Sequence, residues 1–167
     1  EAGAALREYG VADPVLSGGA TPSIGHLEAG SATETRPGVY VFGDAQQWEL
    51  GSCTVDQIAF TVHATVVSRR AGHVVLDSGS KALGADRAAW ASGCGRLLDH
   101  PPARIIQLTE HHAVVAWNSD QPEPVLGSRV RVVPNHVCNA VNLVNELVVA
   151  ADDEIQVWPV GARGRNA

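Results

Sequence analysis

Two short stretches of this chain carry side chains whose types and spacing could do chemistry. Val132-Val133-Pro134-Asn135-His136-Val137-Cys138-Asn139 places an imidazole and a thiol two positions apart, after a β-rich run. If the strand continues past Pro134, its period of two puts His136 and Cys138 on one face. An imidazole and a thiolate are good zinc ligands. Two protein ligands fall short of the usual complement of a catalytic zinc, so water, substrate or a residue outside the chain would complete the set. The same spacing suits a buried cysteine beside a hydrogen-bonded histidine near a strand end, the commoner setting for a free cysteine.

The second stretch is Ser17-Gly18-Gly19-Ala20-Thr21-Pro22-Ser23, between an apolar run and a helix start. Glycines let backbone N–H groups approach an anion, and a helix start adds unpaired donors and partial positive charge. Ser17, Thr21 and Ser23 add hydroxyls. The spacing is that of a phosphate loop or of a tight strand–helix turn, with Thr21 as N-cap and Pro22 at the first helical position. The other candidates are weaker. His111 and His112 are adjacent, so at most one can share a face with His136 if they lie on a strand. His26, His63, His73 and His100 read as surface or structural, and Asp77 as a turn residue. Lys81 is the chain's single lysine. No nucleophile elbow, Walker loop, His-Glu-x-x-His or Cys-x-x-Cys pattern occurs.

The elements that must position these residues have two textures. Residues 1–50 read as α/β: a helix through AALREYG closed by Gly10, a strand through VADPVLSGG, a helix from TPSIGHLEAG, and a strand through ETRPGVYVFGD. In that last strand Val39 and Val41 would face one side and Tyr40 and Phe42 the other. This is the rhythm of a parallel sheet or barrel. Residues 51–167 read as antiparallel β, a sandwich or barrel. CTVDQIAFTVHATVVSRR, HVVLDSGSKAL, RIIQLTEHHAVVAW, SRVRVVPNHVC and ELVVAADDEIQVWPV are its β runs, punctuated by Gly, Pro, Asn and Asp. DRAAWASGCGRLL reads as a short helix or loop.

Composition bounds the function. The chain has 167 residues, 45% of them apolar, enough for a hydrophobic core. A net charge of −6 argues against a nucleic-acid backbone binder. No run of 18 apolar residues occurs, so no transmembrane helix is expected. The first residues do not form a signal peptide, and the chain is expected to begin inside something larger. Three cysteines, Cys53, Cys94 and Cys138, are too few for a disulfide-built domain and suit a reducing cytoplasm.

Seven motifs in order, SGGATPS, ETRPGVYVFGD, DQIA, LDSGSKALGAD, TEHHAVV, VPNHVCNAVNL and WPVGARGR, carry a resemblance. Together they resemble the C-terminal portion of the D-serine dehydratase and D-threonine aldolase family of pyridoxal-phosphate (PLP) enzymes, with the alanine-racemase-like fold. The resemblance implies that residues 1–50 are the last units of a (β/α)8 PLP barrel and residues 51–167 a mainly antiparallel β domain. It implies a phosphate cradle of Gly18, Gly19 and Thr21, with Ser17 and Ser23 beside it and Tyr40 at the cofactor pocket. It implies that His136 and Cys138 bind a metal, zinc for preference. His112 matches a family histidine without an assigned step. The aldolase branch is expected to carry His-x-Asp, so Cys138 tilts the choice toward dehydration.

The implied reaction is loss of water from a D-3-hydroxyamino acid such as D-serine, giving a keto acid and ammonia. Aldol cleavage, racemization and a non-catalytic β domain are the alternatives. The family's Schiff-base lysine belongs early in the barrel, and Lys81 lies in the β segment instead. The chain by itself is therefore expected to be inactive, to need the remaining barrel portion as partner, and to work as a homodimer.

Overall fold

The computed structural model describes residues 2–28, 30–118 and 120–165. Glu1 of the expected first helix and Ala29 within TPSIGHLEAG lie outside them. The centre is a closed antiparallel barrel of six strands: β3 (Val62–Arg70), β4 (His73–Leu76), β5 (Gly95–Leu97), β6 (Arg104–Leu108), β7 (Ala113–Ala116) and β8 (Arg129–Pro134). They run around the barrel as β3-β4-β7-β6-β5-β8, and β3 closes on β8 through pairs such as Ala64↔Val130.

Period-two alternation builds this barrel. Ala64 and Val66 on β3, Val74 and Leu76 on β4, Ala113 and Val115 on β7, and Val130 and Val132 on β8 are buried. Between them His73, Arg129 and Arg131 face solvent. Closure leaves no unpaired edge. Bulges in β3 between Val66 and Ser68, and in β6 between Ile105 and Gln107, curve the sheet. α3 (Ser80–Leu83) plugs one side with Leu83. Gly79 must be glycine there: a Cβ would stand 2.3 Å from the Thr109 carbonyl oxygen. DRAAWASGCGRLL is a loop that runs into β5.

Residues 2–50 hold α1 (Ala2–Glu8), the two-residue strands β1 (Ser17–Gly18) and β2 (Glu34–Thr35), and α2 (Ala45–Leu50). β1 and β2 pair in parallel, Ser17 opposite Glu34. Two expectations are corrected here. TPSIGH is a 3-10 helix whose N-cap is Ala20, and Thr21 is its first residue. VYV is a 3-10 turn, Val39–Val41, instead of a strand. Among the described residues no strand pairs with Val39 to Phe42. The N–H groups here turn back along the chain, Gly43 N–H to the Val39 carbonyl at 2.8 Å, and Gly43 adopts φ +67.

α4 (Val137–Asn142) follows β8, and a hairpin of β9 (Glu146–Ala151) and β10 (Glu154–Pro159) follows α4. Asp152 and Asp153, both with positive φ, make its two-residue turn. Bonds cross the 50/51 boundary: the Gln46 N–H and its side-chain amide both donate to the Asn135 carbonyl, at 3.3 and 3.0 Å. Among the described residues no helix is long and apolar enough to cross a membrane.

Candidate metal and cofactor site

The strand that was expected to carry His136 and Cys138 ends at Pro134. Asn135 is buried and anchored through its amide to the Gly93 carbonyl at 2.8 Å, and the chain then turns into α4. His136 is the N-cap of α4 and Cys138 its second residue. Both residues therefore sit on a helix start, and the period-two argument that put them on one strand face fails because no ladder continues past Pro134. Cys138 is solvent-facing and His136 half-buried.

Two carboxylates hold this helix start. Asp44, 1% exposed, is the N-cap of α2 and accepts the Gln47 N–H at 2.8 Å. Its other oxygen accepts the Val137 N–H at 3.2 Å, between His136 and Cys138. Burial pushes the Asp44 carboxyl above the ordinary aspartate range, against the pull of those N–H groups and of His136. Asp86 contacts the Nδ1 atom of His136. Burial raises the Cys138 thiol above its ordinary value, and the charges of Asp44 and Asp86 push the same way.

Neither Asp44 nor Asp86 was singled out from the sequence. Asp44-Ala45-Gln46-Gln47 does have the N-cap spacing that could have found the first. The second carries no local signal, since its partner lies 50 residues away.

The glycine turn lies close by. Gly19 has φ +86, and Gly18 has open space where a side chain would go. The Thr21 hydroxyl accepts the Tyr40 N–H at 3.1 Å, which leaves its own proton to donate. The Ser17 hydroxyl is committed to Glu34 at 2.5 Å, and Ser23 caps Ala20 at 2.9 Å. The Tyr40 ring is exposed.

Two clefts of about 430 Å³ each meet here and share Pro22 and Leu50. One is lined by Thr21, Gly25 and His26, the other by Asp44, Gln47, Asp86, Trp90 and His136. Within the second, Gln47 Oε1 is buried and has no hydrogen-bond partner among the described residues. Cys138 and Tyr40 are outside both linings. His112 sits in the β6–β7 turn, where its carbonyl accepts the Thr109 N–H, and Asp77 accepts the Thr65 N–H at 2.7 Å; neither faces these clefts. Lys81, on α3, is ion-paired with Glu110 at 2.8 Å and lines neither cleft.

An imidazole and a thiol are ligand types that a zinc-type ion takes, and Asp86 stands against Nδ1 of the first. The count is short. Among the described residues no group of three or more His, Cys, Asp or Glu side chains is arranged to hold a metal.

The family model for the putative serine dehydratase domain matches residues 59–150, from the last residues before β3 to β9. The chain belongs to that family. This family member is 56% identical, over 132 residues, to an uncharacterized protein of Mycobacterium tuberculosis, a match covering 75% of this chain and 99% of that protein. It is 30% identical to the D-threo-3-hydroxyaspartate dehydratase of Delftia sp. HT23, over 95% of this chain and 47% of that one, with a TM-score of 0.78. Against the D-threonine aldolase of Filomicrobium marinum the identity is 29% and the TM-score 0.77, over 98% and 45% of the two chains. The chain thus spans about half the length of the enzymes it matches. D-threo-3-hydroxyaspartate dehydratase has also been solved as a histidine-to-alanine variant and as a cysteine-to-alanine variant two positions further on, the latter in a metal-free form.

Proposed function

We propose that this chain is the C-terminal portion of a PLP- and metal-dependent lyase that removes water from a D-3-hydroxyamino acid, of which D-serine is the simplest. The observation that carries the proposal is that His136 and Cys138 both stand at the start of α4, with Asp86 against Nδ1 of His136. His136 lines a cleft that shares Pro22 and Leu50 with the cleft beside Thr21. A His-x-Cys spacing in a related dehydratase, with a metal-free form of its cysteine variant, supports the assignment.

In this reading residues 1–50 complete a (β/α)8 barrel whose remaining strands lie in a partner portion. The parallel β1–β2 pair fits that role. PLP supplies an electron sink for the α-carbon, and a zinc ion a Lewis acid for the departing hydroxyl. This chain's own contribution is to bind and orient. His136 and Cys138 hold the ion. The glycine turn lets main-chain N–H groups approach the cofactor phosphate, and Thr21 donates its hydroxyl proton there. Ser17 fits this cradle least, because its proton already goes to Glu34. Tyr40 is tied to Thr21 through its backbone N–H, and its ring lies outside both clefts. The lysine that anchors the cofactor belongs to the partner portion. The working unit is a homodimer in the cytoplasm.

The test is made on the chain joined to or mixed with its barrel portion. D-serine or D-3-hydroxyaspartate should yield keto acid and ammonia, and His136→Ala should abolish both the yield and the bound metal. Glycine and aldehyde from D-threonine would instead make this an aldolase portion. Full activity without metal, unchanged in His136→Ala, would remove the metal from the reading.

A further inference from the structure

We propose that Asp86 is the positioning residue of the metal pair: it holds His136 in the tautomer that presents Nε2 to the ion. The proposal rests on the metal reading above and deepens it. A neutral imidazole carries one N–H, and an ionised carboxylate only accepts. The Asp86 carboxylate faces Nδ1, so the proton sits there and the Nε2 lone pair is left for a metal.

The backbone that delivers Asp86 is built for this contact. Gly84 ends α3 with φ +78, and a Cβ there would stand 3.0 Å from the Asn139 side chain and 3.4 Å from Asp86 Oδ1. Only a glycine lets the end of α3 tuck against α4 with the carboxylate turned toward His136. The neighbouring cation does not compete: Arg87 donates to the Ala91 carbonyl at 3.1 and 2.9 Å. Among the described residues His136 is the ion-pair partner of Asp86, and both line the same cleft as Asp44. A surface ion pair with no further role would favour the same tautomer once the histidine is neutral; what sets the positioning role apart is that metal affinity falls when the tautomer is released.

That difference is measurable without substrate or cofactor. In the metal-free chain at about pH 8, above the ordinary histidine range, the ring ¹⁵N shifts of His136 should report the Nδ1–H tautomer. Asp86→Ala should move the population toward Nε2–H, and Asp86→Asn, whose amide oxygen still accepts, should restore it. Cobalt titration followed by its thiolate absorption should show binding weakened about 10–100-fold in Asp86→Ala and largely recovered in Asp86→Asn.

A wild-type ring already in the Nε2–H form, or tautomer and cobalt affinity unmoved in Asp86→Ala, would overturn the proposal. If the wild type takes up no cobalt while the tautomer responds as stated, the orienting role stands and the metal assignment of His136 and Cys138 falls. Thermal melting of each variant guards against misreading an unfolded sample.

Discussion

Replacing Asp44 by alanine tests whether the helix start that carries His136 and Cys138 is held from below. Asp44 accepts two backbone N–H groups, that of Gln47 in α2 and that of Val137 in α4, and is almost wholly buried. Losing an N-cap costs about 1 kcal/mol, and stranding a buried N–H about 1–3 kcal/mol. Relief of the buried charge offsets part of this, since desolvation dominates the raised Asp44 carboxyl. A net loss of about 2 kcal/mol lowers the melting temperature by roughly 4–8 °C in a chain of this size.

The pH dependence has a definite sign. A folded-state pKa above the unfolded one contributes stability that is fully present below the unfolded value, near 3.8, and is lost as pH rises through the folded value. The gap between wild type and Asp44→Ala should therefore be wider at about pH 4 than at about pH 7. Thermal denaturation by circular dichroism across that range, with Asp44→Asn alongside, measures it. A melting temperature unchanged in Asp44→Ala, or a gap that widens with rising pH, would refute the reasoning.

Two further outcomes follow from the barrel. Gly79→Ala drives a Cβ into the Thr109 and Glu110 main chain, which has no side chain to move aside. It should destabilise by about 3 kcal/mol or more, seen as loss of soluble folded protein or a lowered urea midpoint. Glu49 bridges α2 to the barrel, accepting from the Ser92 N–H and hydroxyl at 2.9 Å and pairing with Arg96 at 3.1 Å. Desolvation raises its carboxyl, but the Ser92 and Arg96 bonds outweigh it, and the net shift is downward. Glu49→Gln should thus cost stability at neutral pH and progressively less as pH falls through the folded value, read from urea midpoints.

Much of this molecule was legible in the order of its residues. Alternating apolar positions such as Ala64 and Val66, or Val74 and Leu76, announced half-buried antiparallel strands, because a pleated backbone turns successive side chains to opposite faces. Gly, Pro, Asn and Asp marked breaks between the β runs, and seven ordered motifs pointed to the family; that ELVVAADDEIQVWPV is a hairpin turning at Asp152 and Asp153 came from the structure. Local pattern misled where a segment had no partner strand. Val39–Val41 alternates like a strand but curls into a 3-10 turn, and the run through Val132 and Val133 stops at Pro134.

What only the tertiary structure decided is which groups meet across long stretches of chain. Barrel closure brings Asp86 to His136 across 50 residues and Asp44 to Val137 across 93. Those pairings depend on how β8, α3 and α4 pack in three dimensions. Local periodicity reaches only a few residues along the chain, so no spacing within it could have shown them.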